Sequence, residues 1–178
     1  MGSHAHPWQA AAAFAARAHH HSVRKDGCTP YFSHPARVAL TIACVFGVND
    51  EATIAAALLH DTLEDTGADY DKIAEGFGVE VGRIVAAVSK DMRLPERERE
   101  RAYDEQLARA SWKARLIKLA DVYDNLHDVL DAAGRRRVVA RAERALKLAA
   151  MDDRCREARR IVAALVKRRT GKARGRRA

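Results

Sequence analysis

The pattern of hydrophobic and polar positions predicts helices along most of the chain. No stretch of convincing length alternates between apolar and polar residues as a half-buried strand does. Alanine, leucine and arginine dominate, which also favours helix over strand. We therefore expect an all-α fold, a single helical bundle of about eight to ten helices. The predicted helices cover residues 7–20, 33–47, 50–66, 69–77, 79–90, 96–110, 112–133, 136–150 and 152–169.

Several residues indicate where these helices begin and end. Pro35 stands in a first helical turn, where its missing N–H costs nothing. Asn49 is the predicted N-cap of the helix over 50–66, and Ser111 that of the helix over 112–133. We expect Gly78 to separate two short helices and Gly134 to end the long one.

The length of 178 residues is most simply one domain, which we place at residues 1–169. The net charge of +8 is unevenly distributed, because residues 135–178 contain 17 Lys and Arg against 4 Asp and Glu, a balance of +13. Residues 1–134 therefore carry −5. Residues 170–178 form a basic tail that we expect to be disordered.

The compartment follows from what the sequence lacks. No apolar stretch approaches the ~20 residues that a bilayer requires, so we expect no membrane association. The N-terminus has no apolar signal core, which predicts no export. Cys28, Cys44 and Cys155 are odd in number and far apart, which suits a reducing compartment. A cytoplasmic protein is expected, while the sequence leaves its oligomeric state open.

The pair His60-Asp61 is the most informative feature of the chain. It follows the apolar run 55–59, and Glu64 and Asp65 come one helical turn later. In a continuous helix His60 would lie on the same face as Glu64, and Asp61 on the same face as Asp65. Four such groups beside an apolar run have a desolvation cost that a bound divalent cation would offset.

Two further residues complete a candidate metal site. His34 begins one predicted helix, and Asp121 follows the apolar segment 116–120 in another. Taken alone, His34 is more often a capping or packing residue. Together with His60 and Asp61, these residues form a mixed nitrogen and oxygen ligand set that suits Mn, Fe or Zn better than Ca or Mg.

Glu64 and Asp65 are candidate catalytic carboxylates. One interpretation is a solvated helix end. The other uses their position beside the ligands, since a bound cation lowers the pKa of water from 15.7 to as little as ~7. A neighbouring carboxylate can then accept the proton of that metal-bound water, which would act as the nucleophile.

Cationic and amide groups near these positions are candidate substrate ligands. Arg24-Lys25 forms a compact cationic element before His34 and could bind phosphate or stack on a base. Lys118 and Asn125 share a stripe with Asp121 on the long helix. For Lys118 we favour an ion pair slightly over a phosphate contact.

These residues together resemble the HD superfamily of metal-dependent phosphohydrolases, and more narrowly the hydrolase domain of RelA/SpoT alarmone enzymes. The likeness extends over about residues 15–165 and is strongest for the stand-alone small alarmone hydrolases, which include a metazoan SpoT homolog. The matching segments are Arg24-Lys25-Asp26-Gly27, Thr29-Pro30-Tyr31-Phe32-Ser33-His34-Pro35, residues 56–66, Phe77-Gly78, Leu94-Pro95-Glu96-Arg97 and residues 116–121.

The resemblance implies that the domain is an HD-type helical bundle that hydrolyses the 3′-pyrophosphate of ppGpp or pppGpp, giving GDP or GTP and pyrophosphate. It also implies Mn²⁺, or another divalent transition metal, as the cofactor. The metal ligands implied by the resemblance are His34, His60, Asp61 and Asp121. The implied catalytic carboxylates are Glu64 and Asp65, and the implied nucleotide contacts are Arg24, Lys25 and Asn125.

The chain departs from the family pattern after Asp121. Family members commonly have a basic residue where Val122 stands, and an arginine where His127 stands. This difference leaves substrate preference open. A second interpretation keeps the site but acts on another nucleotide, such as the 2′-phosphate of NADPH. A third, less favoured, is a nucleic-acid or ribosome-binding protein that uses the basic C-terminal region.

Overall fold

The computed structural model describes residues 6–129 and 131–174, and its regular structure there is helical. The only β-type pairing in this part of the chain is an isolated bridge between Val23 and Pro30. The predicted all-α fold is confirmed. The helices are α1 (Pro7–Ala18), α2 (Ser33–Leu40), α3 (Glu51–Leu59), α4 (Thr62–Asp65), α5 (Tyr70–Phe77), α6 (Val79–Val88), α7 (Glu96–Arg109), α8 (Trp112–Asp128), α9 (Ala132–Ala149) and α10 (Arg156–Arg174).

Helix α3 lies at the centre of the molecule because most of its surface is apolar. Residues 55–59 are all buried, and α3 packs against α1, α2, α6 and α8. Helix α8 is the second central element, with Leu116, Ile117 and Leu119 almost completely inaccessible. Each buried leucine or isoleucine contributes about 1.5–3 kcal/mol to folding. The candidate ligands lie at the edge of this core: His60 and Asp61 directly follow α3, Asp121 is on α8, and His34 is on the neighbouring α2.

The helix predicted over residues 50–66 is interrupted at its most informative residues. The α-helix ends at Leu59, and α4 begins at Thr62, so His60 and Asp61 form the turn between them. Side chains take the carbonyls that a continuous helix would use: His60 Nδ1 lies 2.8 Å from Ala57 O, and Thr62 Oγ1 donates to Leu59 O at 2.7 Å. The prediction of one continuous helix over residues 50–66 is therefore wrong.

Two predicted helix ends are also wrong. The N-cap of α3 is Asp50 rather than Asn49, since the Asp50 carboxylate accepts the Thr53 N–H at 2.8 Å. Helix α8 ends at Asp128, and Gly134 lies inside the first turn of α9, where its N–H donates to the capping Asp131 carboxylate at 2.7 Å. Asp131 caps the start of α9, so Gly134 lies within that helix and does not end α8.

Other predicted boundaries are confirmed. Gly78 separates α5 from α6 and has φ +94°, a conformation that favours glycine. The Ser111 hydroxyl accepts the Ala114 N–H at the start of α8. Helix α2 continues into a π-helical turn, Thr41–Val45, which ends close to the predicted position.

The basic C-terminal segment is helical further than expected. Helix α10 continues to Arg174, beyond the predicted end at residue 169. The last four residues of the predicted disordered tail, 175–178, lie outside the described residues. The boundary of the domain at residue 169 therefore stays a prediction.

None of the helices in the described ranges combines the length and the apolar character that a membrane-crossing helix needs.

Candidate functional site

A cavity of about 260 Å³ gathers the residues singled out from the sequence. Its walls include the 22–31 loop, the start of α2, the turn between α3 and α4, α4 itself and the middle of α8, with further residues from the end of α6, the segment after it, α7 and α9. Elements far apart in sequence therefore meet at one point. All nine predicted site residues line this cavity: Arg24, Lys25, His34, His60, Asp61, Glu64, Asp65, Asp121 and Asn125.

Three of the four predicted metal ligands converge closely. One potential ligand atom from each of His34, His60 and Asp121 lies within 4.8 Å of the other two. Asp61 stands beside them, with its Oδ1 3.0 Å from His60 Nε2 and its Oδ2 3.6 Å from His34 Nε2. Two imidazoles and two carboxylates thus border one small volume, which matches the donor set of a transition metal.

The orientation of His60 leaves one nitrogen ready for a ligand. Its Nδ1 is occupied by Ala57 O, and its Nε2 has no aligned hydrogen-bond partner among the described residues, although the residue is only 4% exposed. A buried polar atom without a partner is costly unless something binds it. The side chains present therefore fit a divalent cation.

His34 is also held through its Nδ1, which leaves Nε2 facing the cavity. Its Nδ1 lies 2.7 Å from Asp124 Oδ2, and the same carboxylate accepts two hydrogen bonds from Arg37, at 2.6 and 2.9 Å. His34 Nε2 then points to Asp121 Oδ1 at 3.3 Å. A histidine whose Nδ1 proton goes to a carboxylate presents Nε2 as a ligand.

Asp121 is fixed by its neighbours on α8. Its Oδ2 accepts a hydrogen bond from Lys118 Nζ at 2.8 Å, and its Oδ1 accepts one from Asn125 Nδ2 at 2.5 Å. The favoured ion-pair role of Lys118 is confirmed by this contact. Asn125 also accepts a hydrogen bond from Arg24 at 3.3 Å, so it connects the candidate ligand to the cationic loop.

The charges of the site shift the ionisation of its ligands. Burial lowers the pKa of His34, but hydrogen bonds with Asp121 and Asp124 outweigh it and raise the value to about 9. Burial also opposes a charged His60, and the adjacent Asp61 more than offsets this, so the pKa of His60 is raised. Burial raises the pKa of Asp121, and the Lys118 ammonium more than compensates, so that carboxylate remains ionised. Without a cation, the site is a network of paired charges.

Glu64 and Asp65 face the same cavity from α4. Glu64 Oε1 accepts the backbone N–H of Lys90 at 2.7 Å, and Asp65 Oδ2 lies 3.0 Å from the Tyr31 hydroxyl. Burial raises the pKa of both carboxyl groups, and the negative charge of Asp61 adds to the effect. Both are therefore stronger bases than a carboxylate on the surface.

Arg24 lies in the wall of the same cavity and is held by α8. It donates to Asp128 Oδ2 through Nε at 3.0 Å and through Nη2 at 2.6 Å, and its guanidinium lies 5.4 Å from the centre of the Tyr31 ring. Lys25 is exposed at the rim. This pair forms a cationic edge beside the carboxylates.

Several residues of the site were missed by the sequence reasoning. Tyr31 brings its hydroxyl within 2.7 Å of Asp61 Oδ2 as well as 3.0 Å of Asp65, so it orients both carboxylates. Asp124 holds His34, while Lys90 and Arg141 line the cavity. Asp124 could have been found, because it lies close to Asp121 on a helix whose buried side is otherwise mostly apolar. Nothing in the local pattern indicates the positions of Tyr31, Lys90 or Arg141.

Comparisons with known proteins identify the family of this chain. A family model described as "HD domain" matches residues 11–150. The chain is 45% identical over 130 residues to the human guanosine-3′,5′-bis(diphosphate) 3′-pyrophosphohydrolase MESH1, a match that covers 72% of this chain and 73% of that protein. It is 40% identical over 126 residues to the enzyme of the same activity name from Aquifex aeolicus, covering 69% of this chain and 18% of that one.

A solved structure of a metazoan ortholog of SpoT, described as hydrolysing ppGpp, has a similar backbone. It superposes with a TM-score of 0.82 at 28% sequence identity, covering 96% of this chain and 99% of that chain. The likeness therefore includes the C-terminal helices as well as the region around the cavity.

Proposed function

Because this chain belongs to the HD domain family, we propose that it is a phosphohydrolase that removes the 3′-pyrophosphate of guanosine alarmones. The products are GDP or GTP, from ppGpp or pppGpp respectively, and pyrophosphate. The single observation that carries the proposal is the meeting of His34, His60 and Asp121 in one cavity with Glu64 and Arg24. Similarity to proteins named as pyrophosphohydrolases supplies the substrate.

HD domain hydrolases bind a divalent metal, and we propose Mn²⁺ for this chain, with other divalent transition metals as substitutes. The proposed ligands are His34 and His60 through Nε2, together with the carboxylates of Asp61 and Asp121. The Nε2 of His60 supports this assignment, because it is buried, has no well-aligned hydrogen bond among the described residues, and lies 3.0 Å from Asp61 Oδ1. When bound, the cation supplies positive charge that acidifies water and offsets the charge of a phosphate group.

Glu64 is the proposed general base. Burial makes its carboxylate more basic, and the Lys90 N–H holds one of its oxygens, so the other can accept a proton from the attacking water. Asp65 lies next to it and shares the Tyr31 hydroxyl with Asp61, which supports a role in orienting the water. The water attacks the phosphorus bonded to the ribose 3′-oxygen, and that P–O bond breaks. Pyrophosphate leaves, and the 3′-oxygen takes up a proton to become the hydroxyl group of GDP or GTP.

Arg24, Lys25 and Asn125 are the proposed nucleotide contacts. The Arg24 guanidinium is planar and already lies against an aromatic ring, an environment in which it can also stack on guanine. Lys25 is exposed at the rim and can bind phosphate as a point charge. The amide of Asn125 contacts both Asp121 and Arg24, which supports a place for the sugar-phosphate part between the metal ligands and the base.

The proposed partner is thus a small guanine nucleotide in the cytoplasm. Three free cysteines, two of them exposed, support a reducing compartment.

One assay panel tests the proposal. Purified protein with Mn²⁺ is mixed with ppGpp, pppGpp or NADPH, and pyrophosphate and orthophosphate are measured separately. We expect pyrophosphate from the two alarmones and loss of the activity when a chelator removes the metal. Orthophosphate from NADPH without turnover of either alarmone would replace this function with the alternative phosphatase.

A further inference from the structure

A row of alternating charges connects two residues of the cavity wall, His34 and Arg24. Asp124 and Asp128 lie one turn apart on α8, and Arg37 of α2 lies between their carboxylates. At one end Asp124 contacts His34, and at the other Asp128 contacts Arg24. We call Asp124, Arg37 and Asp128 the charged bridge.

The Asp124 end controls the geometry of a candidate ligand. Its side chain is 6% exposed, and its two oxygens are satisfied by His34 Nδ1 and by the Nε and Nη2 of Arg37. A carboxylate held at two points cannot rotate without breaking charge-assisted hydrogen bonds. The His34 ring is therefore locked with Nε2 facing Asp121 and Asp61.

The Asp128 end controls the cationic loop. One oxygen of Asp128 accepts both hydrogen bonds from Arg24, whose side chain is only 10% exposed. The loop that carries Arg24 is closed by the bridge between Val23 and Pro30, and the Asp128 contact ties its Arg24 side chain to α8. Asp128 thus fixes the guanidinium over Tyr31, beside the cavity.

Arg37 is shared between the two ends. Its guanidinium bonds Asp124 at 2.6 and 2.9 Å and lies 3.5 Å from Asp128 Oδ2. The positive charge separates two carboxylates that would otherwise repel each other across one helical turn. Arg37 itself does not line the cavity, and its contacts near the site go to the two carboxylates.

From these contacts we propose that the charged bridge positions two groups at once: Asp124 orients His34 toward the metal, and Asp128 orients Arg24 toward the nucleotide, with Arg37 stabilising both. The three residues are positioning residues, not catalytic ones. The Arg24 end rests on the proposed function, whereas the His34 end requires only that the site binds a divalent cation.

The metal end is tested with Mn²⁺ alone, by electron paramagnetic resonance titration of metal-free protein. We expect Asp124→Ala to weaken Mn²⁺ binding by about 10- to 100-fold, the usual effect of losing a carboxylate behind a histidine ligand. Asp124→Asn keeps an oxygen that can accept the Nδ1 proton, and should remain within about 10-fold of the wild type. Asp128→Ala should leave Mn²⁺ affinity unchanged.

The nucleotide end is tested by steady-state kinetics with ppGpp at saturating Mn²⁺. Asp128→Ala removes both hydrogen bonds that hold Arg24 and should raise KM by roughly 10-fold, with kcat changed much less. Arg37→Gln should weaken Mn²⁺ binding and raise KM for ppGpp, each by a smaller factor than the substitution of the corresponding aspartate. Its side chain is 39% exposed, so this variant tests the proposal even if Asp124→Ala does not fold. Arg160→Gln, which breaks a surface ion pair with Glu157 on α10, is the matched control.

The outcomes separate this inference from the proposed function. Wild-type Mn²⁺ affinity and wild-type KM in Arg37→Gln and Asp128→Ala, with only a lower Tm, would mean that the bridge is purely structural and would overturn the inference. If the wild-type protein does not hydrolyse ppGpp, the proposed function fails, yet weaker Mn²⁺ binding by Asp124→Ala and Arg37→Gln would still support the metal end.

Discussion

Replacing Glu64 with glutamine isolates the proposed base from the metal site. The Lys90 N–H lies 2.7 Å from the Glu64 carboxylate, and the amide oxygen of a glutamine can accept the same hydrogen bond, so the side chain should stay in place. Only the ability to accept a proton is lost. General-base catalysis contributes about 100- to 10,000-fold, so we expect kcat to fall by that factor, about 3 to 5 kcal/mol in activation free energy. Mn²⁺ affinity should not change, because Glu64 is not among the converging ligands.

The same substitution makes a second, independent prediction about stability. Burial raises the pKa of Glu64, so the folded state disfavours its ionised form. At neutral pH the charged carboxylate therefore destabilises the fold, and a neutral glutamine should give an equal or higher Tm. A loss of activity without a loss of Tm cannot come from misfolding.

The assay is pyrophosphate release from ppGpp, measured from pH 5 to 9, with Mn²⁺ titration and thermal melts alongside. With Mn²⁺ kept saturating at each pH, the wild-type rate should decline on the acid side as Glu64 becomes protonated, and this decline should be absent from Glu64→Gln. Glu105→Gln, on the exposed surface of α7, is the control. Retention of more than about a tenth of the wild-type kcat by Glu64→Gln would refute the assignment.

Four further predictions concern the metal site and the backbone. Asp121→Ala should abolish both Mn²⁺ binding and turnover and lower the Tm, because it removes a ligand and leaves Lys118 without its partner; wild-type Mn²⁺ affinity would contradict this. The His34 pKa of about 9 means that the ring is protonated at pH 7, so metal binding should release a proton, seen as a buffer-dependent enthalpy in calorimetry. By the same linkage, the stability that His34 gives the metal-free protein is complete below about pH 6.5 and lost as the pH rises through about 9, which denaturant titrations across pH can measure. Gly78→Ala should cost about 1–3 kcal/mol in urea unfolding because φ is +94°, while Gly67→Ala, with no positive φ and open space around it, should cost much less.

The sequence predicted the class of fold, and it indicated nine candidate residues that the structure places around one cavity, because both depend largely on local patterns. Helical periodicity and the absence of alternating strands are sufficient to predict the all-α fold. A candidate metal site was indicated by the pair His60-Asp61 together with the isolated polar residues His34 and Asp121. Such groups next to apolar runs are rarely without a partner.

The local geometry was less predictable, because it depends on side chains that compete with the backbone. The break between α3 and α4 exists because His60 and Thr62 take carbonyls of the preceding turn, a choice that helical periodicity does not reveal. The end of α8 depends on Asp131 capping the next helix, against the usual role of a glycine such as Gly134. Tyr31 was missed because its contacts with Asp61 and Asp65 join residues 30 and 34 positions apart.

At the interruption before α4, the imidazole of His60 contacts the backbone at the end of α3 and also borders the candidate metal site. His60 uses one nitrogen to end α3 and leaves the other for a cation, so a single residue meets two separate demands. An aspartate in its place could still coordinate metal, but could not donate a proton to Ala57 O at neutral pH. A replacement that restores only the ligand would therefore leave the turn unsupported, and one that restores only the turn would leave the cation short of a donor.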